Sequence, residues 1–147
     1  FGAGEVWIDD DDVPDLAKEF TDGKGCALGL NSVGGRSALR LARSLGEGGV
    51  HVTFGAMDSS PVRFPTRSLI FDDVRFVGFW LDKWKRKQSP ARLRNALEEV
   101  LQPLALAEIR HPIDKVFGLD EFDQALARNS ESRMGKVLLA RDKDVIT

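Results

Sequence analysis

The sequence predicts an α/β fold with a mainly parallel sheet, and two patterns support this. Apolar runs of strand length recur at residues 26–30, 50–54 and 74–80, and such nearly continuous runs are typical of parallel strands covered on both faces. Between the first two runs, apolar side chains recur with helical spacing at Ala38, Leu41, Ala42 and Leu45. Strands and helices that alternate in this way indicate βαβ units, whose strands lie parallel.

The first half of the chain contains three weaker elements. Residues 5–8 form a short β-type run, residues 13–20 a weak helical stretch and residues 65–72 a short helix. The helix that includes Ala38 is predicted to stop at Gly46, because a glycine commonly ends a helix. The acidic run at 9–12 predicts a solvated loop.

The composition changes at the basic run 83–87, so we predict two parts, residues 1–82 and residues 83–147. In the second part, Ser89 is predicted to cap a helix that has Pro90 at its first position. The apolar face of that helix comprises Leu93, Ala96, Leu97, Val100 and Leu101. The elements that follow are a strand, a short helix and a last strand, at residues 113–119, 120–128 and 136–140.

Composition and charge exclude several classes of function. The formal net charge of -2, with both signs interspersed, provides no basic surface for a nucleic acid. No apolar stretch approaches the length of a membrane span. Cys26 is the single cysteine, and the apolar run around it predicts a small buried side chain. Because His51 and His111 are isolated in the sequence, we expect no metal site and structural or surface roles for both.

Ligands of open parallel sheets bind beyond the carboxyl ends of the strands. Those ends are rich in small residues here, at 31–35, Gly55-Ala56 and Gly78. Glycine allows a flat ligand to approach the backbone closely, although ordinary turns between strand and helix have the same composition. The pair Gly34-Gly35 opens a helix and could offer amides to a phosphate, but the sequence contains no glycine-rich dinucleotide turn and no phosphate-binding loop.

Four sequence blocks carry a family resemblance: GLNSVGG at 29–35, VTFGAM at 52–57, LIFDD at 69–73 and GFWL at 78–81. In these blocks and their spacing, residues 1–141 resemble the C-terminal portion of mitochondrial trans-2-enoyl-thioester reductases of the medium-chain dehydrogenase/reductase superfamily. The resemblance implies an incomplete Rossmann-type sheet, with the run at 5–8 as strand three and the three apolar runs as strands four to six. The first predicted part is then the end of a nucleotide-binding domain, and the second is the C-terminal segment of a GroES-like substrate domain.

The resemblance implies NADPH-dependent reduction of the double bond of a 2-enoyl group carried on acyl carrier protein or coenzyme A, in mitochondrial fatty acid synthesis. It assigns cofactor contacts to Phe54, Gly55, Ala56, Met57, Phe79, Trp80, Leu81 and Lys136. The first four would lie along the nicotinamide and its ribose, and the next three would meet the carboxamide and form part of the acyl pocket. The alternative is core packing for Phe54, Trp80 and Leu81 and a solvated charge for Lys136.

The family's catalytic tyrosine lies in an N-terminal domain, whereas this sequence contains no tyrosine. We therefore assign no catalytic residue, and we expect the chain alone neither to reduce substrate nor to bind NADPH. The family's first two sheet strands and its glycine-rich turn are absent as well. Without them, the strand at 26–30 would present an unpaired edge, which favours association with another chain.

Three explanations stay open at the level of sequence. In the first, the chain is half of a split or cleaved reductase, and a partner polypeptide supplies the missing domain and strands. In the second, it is a non-catalytic structural subunit derived from such a reductase, and neighbouring subunits of a larger assembly cover its edge. In the third, the sequence is part of a longer chain. The resemblance implies a mitochondrial location in each case.

Overall fold

Residues 3–142 are described by a computed structural model of the chain, in two units that divide between residues 93 and 94. The first unit contains a three-stranded sheet in the order β1-β2-β3, in which both pairs of neighbouring strands are parallel. Its strands are β1 Cys26–Asn31, β2 Leu45–Thr53 and β3 Arg75–Gly78. Its helices are α1 Val13–Phe20, α2 Gly35–Arg43, α3 Thr66–Phe71 and α4 Leu81–Arg86. The predicted α/β fold with a parallel sheet is confirmed.

Strand β2 is central, and the register of its two pairings assigns side chains to opposite faces of the sheet. The aligned residues are Gly29, His51 and Phe76 on one face and Leu30, Val52 and Val77 on the other. Helix α2 packs on the first face, where Ala38 and Ala42 are fully buried. Leu41 lies so close to the sheet that a Cβ at Gly29 would be 2.9 Å from its Cγ atom. The core of this unit therefore lies between α2 and the face that carries His51.

The opposite face of the sheet is largely open to solvent. Leu30 is 61% exposed, and Leu28 and Val77 are exposed as well. The prediction that these strands are covered on both faces is therefore wrong for the described residues. An apolar run shows which side chains are suited to burial, and it does not show whether the same stretch of chain supplies the cover. Cys26 is likewise only half-buried, not fully buried as predicted.

The run at 5–8 does not form a strand. A β-strand needs a neighbouring strand for its hydrogen bonds, and no described residue pairs with this run. It is anchored by Trp7, whose ring meets the ring of Phe20 edge-on with centroids 5.8 Å apart. The prediction of strand three is therefore wrong for the described part of the chain.

The acidic run at 9–12 is exposed, but it is held against α2 by ion pairs. Asp11 accepts hydrogen bonds from Arg36 at 2.8 Å and from Arg40 at 2.9 Å, and Asp9 also pairs with Arg40. The hydrogen bond from Arg40, followed by the charge of Arg36, lowers the pKa of Asp11. The loop is therefore docked and not simply solvated.

The boundary between α2 and β2 differs from the prediction. The helix ends at Arg43, and Leu45 begins the strand instead of closing the helix before Gly46. Gly46 contacts the main chain at Lys24, where the backbones approach too closely for a Cβ. This glycine therefore permits a close approach of two chain segments and does not cap a helix. The register between β1 and β2 is irregular over the same stretch.

The second unit contains two parallel strands that pair with each other, β4 Ile113–Gly118 and β5 Lys136–Ala140. A 3-10 helix, Leu119–Glu121, leads into α6 Phe122–Ser130, which packs against both strands. Phe117 and Ala125 are buried between them. The strand, helix and strand predicted for this segment are confirmed, with ends that shift by one or two residues.

Helix α5, Pro90–Ala105, runs across the division between the two units, and the helix predicted to begin at Pro90 is confirmed. Its apolar face is exposed at Leu97, Val100 and Leu101. No helix among residues 3–142 is long and apolar enough to cross a membrane. The functional division at 82 and 83 stays a prediction, and residues 1–2 and 143–147 lie outside the described residues.

Candidate functional site

The carboxyl ends of the three parallel strands meet at one edge of the sheet. Asn31, Thr53 and Gly78 are aligned there in the register. Two hydrogen bonds extend the alignment by one residue: the Phe54 amide donates to the Asn31 carbonyl at 3.0 Å, and the Phe79 amide donates to the Thr53 carbonyl at 2.8 Å. Phe54 and Phe79 therefore leave the sheet side by side, and each begins one of the predicted cofactor-contacting segments.

The first of these segments, residues 54–57, is packed against the turn that follows β1. A Cβ at Gly55 would lie only 2.6 Å from the carbonyl oxygen of Ser32, so a glycine is required for this approach. The side chains at the two ends of the segment remain accessible: Phe54 is 51% exposed and Met57 is 85% exposed. Among the described residues, Phe54 is therefore not packed in a core, and its contact with a cofactor stays a prediction.

The second segment, residues 79–81, connects β3 to α4. Trp80 is 63% exposed, and Phe79 and Leu81 are exposed as well. The guanidinium carbon of Arg86 lies 5.9 Å from the centre of the Trp80 ring, a cation–π arrangement that orients the indole. Among the described residues, Trp80 and Leu81 are likewise not packed in a core, and their contacts with a cofactor stay predictions. Seven of the eight predicted contacts thus lie at the end of the sheet where the carboxyl ends of its strands meet, which we call the strand-end edge.

Lys136, the eighth predicted contact, is the first residue of β5 in the second unit. Its side chain is exposed, and its backbone amide donates to the Pro112 carbonyl at 2.9 Å. The exposed position agrees with the alternative of a solvated charge. A role of Lys136 in cofactor binding stays a prediction.

Asn31 is a functional candidate that sequence reasoning did not single out. Its side chain belongs to a residue that is only 3% exposed, and its Oδ1 accepts hydrogen bonds from the amides of Val33 at 3.1 Å and Gly34 at 2.9 Å. Its Nδ2 lies 3.2 Å from the Thr53 hydroxyl oxygen. A signal was present, because an asparagine that follows a strand and precedes a glycine pair is typical of a turn closed by the side chain.

The start of α2 does not provide the anion site that Gly34-Gly35 suggested. The Asp58 carboxylate lies directly against Gly35, and the Asp58 amide donates to the Val33 carbonyl at 2.7 Å. Hydrogen bonds from Ser60 lower the pKa of Asp58, which favours its charged form. A carboxylate at the start of the helix repels a phosphate that would approach there. The positive φ angles of the glycine pair, 92° and 51°, instead allow the tight turn.

A cavity of about 140 Å³ lies beside the turn after β1, and Leu30, Asn31, Val33 and Arg40 contribute to its lining. Asn31, at the carboxyl end of β1, is one of its lining residues, whereas residues 54–57 and 79–81 do not line it. No group of three or more His, Cys, Asp or Glu side chains that could hold a metal ion occurs within residues 3–142. The described chemistry of the edge is therefore that of backbone, aromatic and amide groups.

A family model described as zinc-binding dehydrogenase matches residues 1–139. The mitochondrial enoyl-[acyl-carrier-protein] reductase of Dictyostelium discoideum is 32% identical over 138 residues, which cover 92% of this chain. This chain spans only 39% of the Dictyostelium protein.

Two solved structures show the same fold. The mitochondrial 2-enoyl thioester reductase Etr1p/Etr2p heterodimer from Candida tropicalis superposes with a TM-score of 0.68 at 21% identity, covering 86% of this chain and 37% of that one. A complex of Etr1p with NADP and crotonyl-CoA superposes with a TM-score of 0.65 at 23% identity, covering 86% of this chain and 36% of that one.

Proposed function

The chain belongs to the zinc-binding dehydrogenase family, and from this premise we propose that it is the C-terminal portion of an NADPH-dependent 2-enoyl-thioester reductase. The relatives named as mitochondrial enoyl-acyl-carrier-protein reductases support this activity, a role in fatty acid synthesis and a mitochondrial location. The solved complex of Etr1p with NADP and crotonyl-CoA supports the cofactor and a 2-enoyl thioester as substrate.

The observation that carries the proposal is the strand-end edge, where Gly55 packs against Ser32 and exposed aromatic side chains stand on both sides. Apart from its chain neighbours, no described atom lies within 4 Å of the Cβ position of Gly78, so there is room for a flat ring against the backbone. Phe54 and Trp80 would hold the nicotinamide end of the cofactor by ring contacts. When bound, NADPH would supply the hydride that reduces the enoyl double bond. The part played by this chain is to bind and orient.

The proposal requires residues that this sequence does not contain. The sequence includes no tyrosine, so the catalytic tyrosine of the family would come from another stretch of polypeptide. One edge of β1 is paired with no strand among residues 3–142 and is suited to further sheet strands, and the exposed face around Leu28 and Leu30 is suited to a cover. We propose that an additional stretch of the same polypeptide, or a partner polypeptide, supplies these strands, the tyrosine and the glycine-rich turn.

The family's description names zinc, but residues 3–142 do not bring together a set of zinc ligands. The proposed reaction does not require acyl transfer to or from acyl carrier protein or coenzyme A. Only the carbon–carbon double bond of the 2-enoyl group reacts, and the thioester bond stays intact.

Native isolation of the tagged chain from its source cells tests the proposal. We expect intact-mass and peptide analysis to find a glycine-rich turn and a tyrosine-containing domain, on the same polypeptide or on a co-isolated one. The isolated protein should bind NADPH and oxidise it only when crotonyl-CoA is added. A fully assigned preparation that contains neither element and does not bind NADPH would overturn the proposal.

A matched pair of variants connects the activity to the edge. Phe54→Ala removes an exposed ring at the proposed site, whereas Phe71→Ala removes a ring on α3 that is also exposed. Loss of one aromatic contact should raise the Kd for NADPH about three- to tenfold in the first variant. The second variant should bind NADPH as the unaltered protein does.

A second candidate function is that of a non-catalytic subunit derived from such a reductase. The exposed apolar face of the sheet favours it, because neighbouring subunits of an assembly would equally cover Leu28, Leu30 and Val77. The two functions differ in cofactor binding. Saturable NADPH binding that Phe54→Ala weakens would exclude the structural subunit, and an assembly that lacks NADPH binding would support it.

A further inference from the structure

The side chain of Asn31 has a fixed orientation in the turn after β1. Its Oδ1 faces the amides of Val33 and Gly34, at 3.1 Å and 2.9 Å. Backbone amides can only donate hydrogen bonds, so the atom that faces them must be the oxygen. The Nδ2 atom consequently faces the hydroxyl of Thr53 at 3.2 Å and donates to it.

The hydrogen-bond partners of the His51 ring show in the same way which of its nitrogens carries the proton. Its Nε2 lies 3.2 Å from the carbonyl oxygen of Ala38 in α2, and a carbonyl can only accept. Nε2 therefore carries the proton, which leaves Nδ1 as an acceptor in the neutral ring. Nδ1 lies 3.4 Å from the Thr53 hydroxyl oxygen, so the hydroxyl donates to it. The residue is fully buried, and burial disfavours a second proton on the ring.

We propose that His51, Thr53 and Asn31 form a directed hydrogen-bond relay that positions the turns of the strand-end site. The relay begins at the amides of Val33 and Gly34 and ends at the Ala38 carbonyl. Each side chain in it accepts a hydrogen bond from the group before it and donates one to the group after it. The three residues are positioning residues, because their side chains are not assigned to contact the cofactor. What the positioned turns bind rests on the proposed function.

The relay reaches both turns of the site because they are joined through the main chain. The Asn31 carbonyl accepts from the Phe54 amide, and the Val33 carbonyl accepts from the Asp58 amide. Between these two bonds, Gly55 lies against Ser32. A rotation of the Asn31 side chain would therefore displace the turn after β1 and, through these contacts, residues 54–57 as well.

Nitrogen-15 NMR of the natively isolated protein tests the direction of the relay without any substitution. The His51 ring should show a protonated Nε2 and an unprotonated Nδ1 at neutral pH. Thr53→Val, which removes the hydroxyl, should shift the Nδ1 resonance, whereas Thr66→Val at an exposed position of α3 should not. A protonated Nδ1 in the unaltered protein would overturn the relay.

Amide exchange and cofactor affinity test its positioning role. Asn31→Ala should accelerate exchange of the Val33 and Gly34 amides about tenfold or more, because each loses one hydrogen bond, while the Leu30 amide keeps its rate. Asn31→Asp retains an acceptor oxygen for these two amides and should restore their protection. The Kd for NADPH should rise about tenfold in Asn31→Ala and recover partly in Asn31→Asp.

The outcomes separate the relay from the proposed function. Unchanged exchange of the Val33 and Gly34 amides in Asn31→Ala would overturn the positioning role, whether or not NADPH binds. The expected tautomer and exchange rates in a protein that does not bind NADPH would support the relay and count against the proposed reductase. If Asn31→Ala does not fold, the tautomer of the unaltered protein still decides the direction of the relay.

Discussion

Gly55 lies directly against the main chain of Ser32, so closely that a Cβ would be 2.6 Å from the Ser32 carbonyl oxygen. The backbone of one strand-end turn therefore supports the other, and neither can accept added bulk at this point. Because the obstructing atom belongs to the backbone, it cannot move aside as the end of a side chain would. The two turns behave as one structural element.

The first prediction concerns this contact. Gly55→Ala should lower the free energy of unfolding by about 1–3 kcal/mol and weaken NADPH binding, because the turns must separate to admit the methyl group. Gly78→Ala is the matched control for stability, since apart from its chain neighbours no described atom lies within 4 Å of its Cβ position. Denaturant unfolding compares the stability of the two variants, and NADPH titration measures binding in Gly55→Ala. Equal losses of stability in the two variants would contradict the close contact.

The second prediction is a dependence of stability on pH that arises from His51. Burial lowers the pKa of His51 in the folded chain below its ordinary value of 6.5. As the pH falls below 6.5, the unfolded chain therefore binds a proton at His51 before the folded chain does. Stability should be complete above pH 6.5 and should fall as the pH decreases below it. His51→Gln should abolish this decline, and His111→Gln should retain it. Denaturant unfolding between pH 5 and 8 provides the measurement, with all three proteins compared at each pH.

The third prediction concerns Arg128, which donates two hydrogen bonds to Asp114 at 2.7 and 2.6 Å and joins α6 to β4. These bonds lower the pKa of Asp114 below 3.8, so their contribution is present above pH 3.8 and is lost in stronger acid. Arg128→Met should lower Tm at neutral pH. It should also reduce the decrease in Tm that occurs as the pH falls below 3.8, the acid limb of the Tm profile. Arg94→Met, at an exposed position of α5, should leave both unchanged. A normal acid limb in Arg128→Met would contradict the role of the pair.

The fourth prediction concerns the exposed face of the sheet. Leu30→Lys should change the free energy of unfolding of the chain by no more than about 0.5 kcal/mol, because the side chain is largely exposed. Where a partner polypeptide or a neighbouring subunit covers this face, the substitution should nevertheless prevent its co-isolation. Ile70→Lys, at a similarly exposed position of α3, should leave that co-isolation intact. Equal co-isolation of the partner with both variants would show that the partner does not cover this face.

The repeated units of strand and helix were predictable because their pattern is local. Three apolar runs separated by turns define β1, β2 and β3, and the helical spacing of Ala38 and Ala42 defines the buried face of α2. The strand-end site follows from the same pattern, because parallel strands bring their carboxyl ends to one edge. This explains why Phe54 and Phe79 leave the sheet side by side although they are 25 positions apart in the sequence.

Contacts between distant segments were not predictable in the same way. Gly46 has the sequence appearance of a helix cap, but its role is set by the approach of Lys24, a contact that no local pattern records. The run at 5–8 has the composition of a strand and lacks a pairing partner among the described residues. The relay through His51 and Thr53 likewise depends on register and ring orientation, which a sequence does not specify.

Equilibrium titration of the natively isolated protein with NADPH, observed through tryptophan emission, tests whether this chain forms part of a reductase site. We predict saturable binding that quenches the emission of Trp80, and we predict that Trp80→Phe loses this quenching while it still binds NADPH. A protein whose intact mass and composition are fully assigned, and which shows no saturable binding of NADPH, would contradict the assignment of this chain to a reductase site.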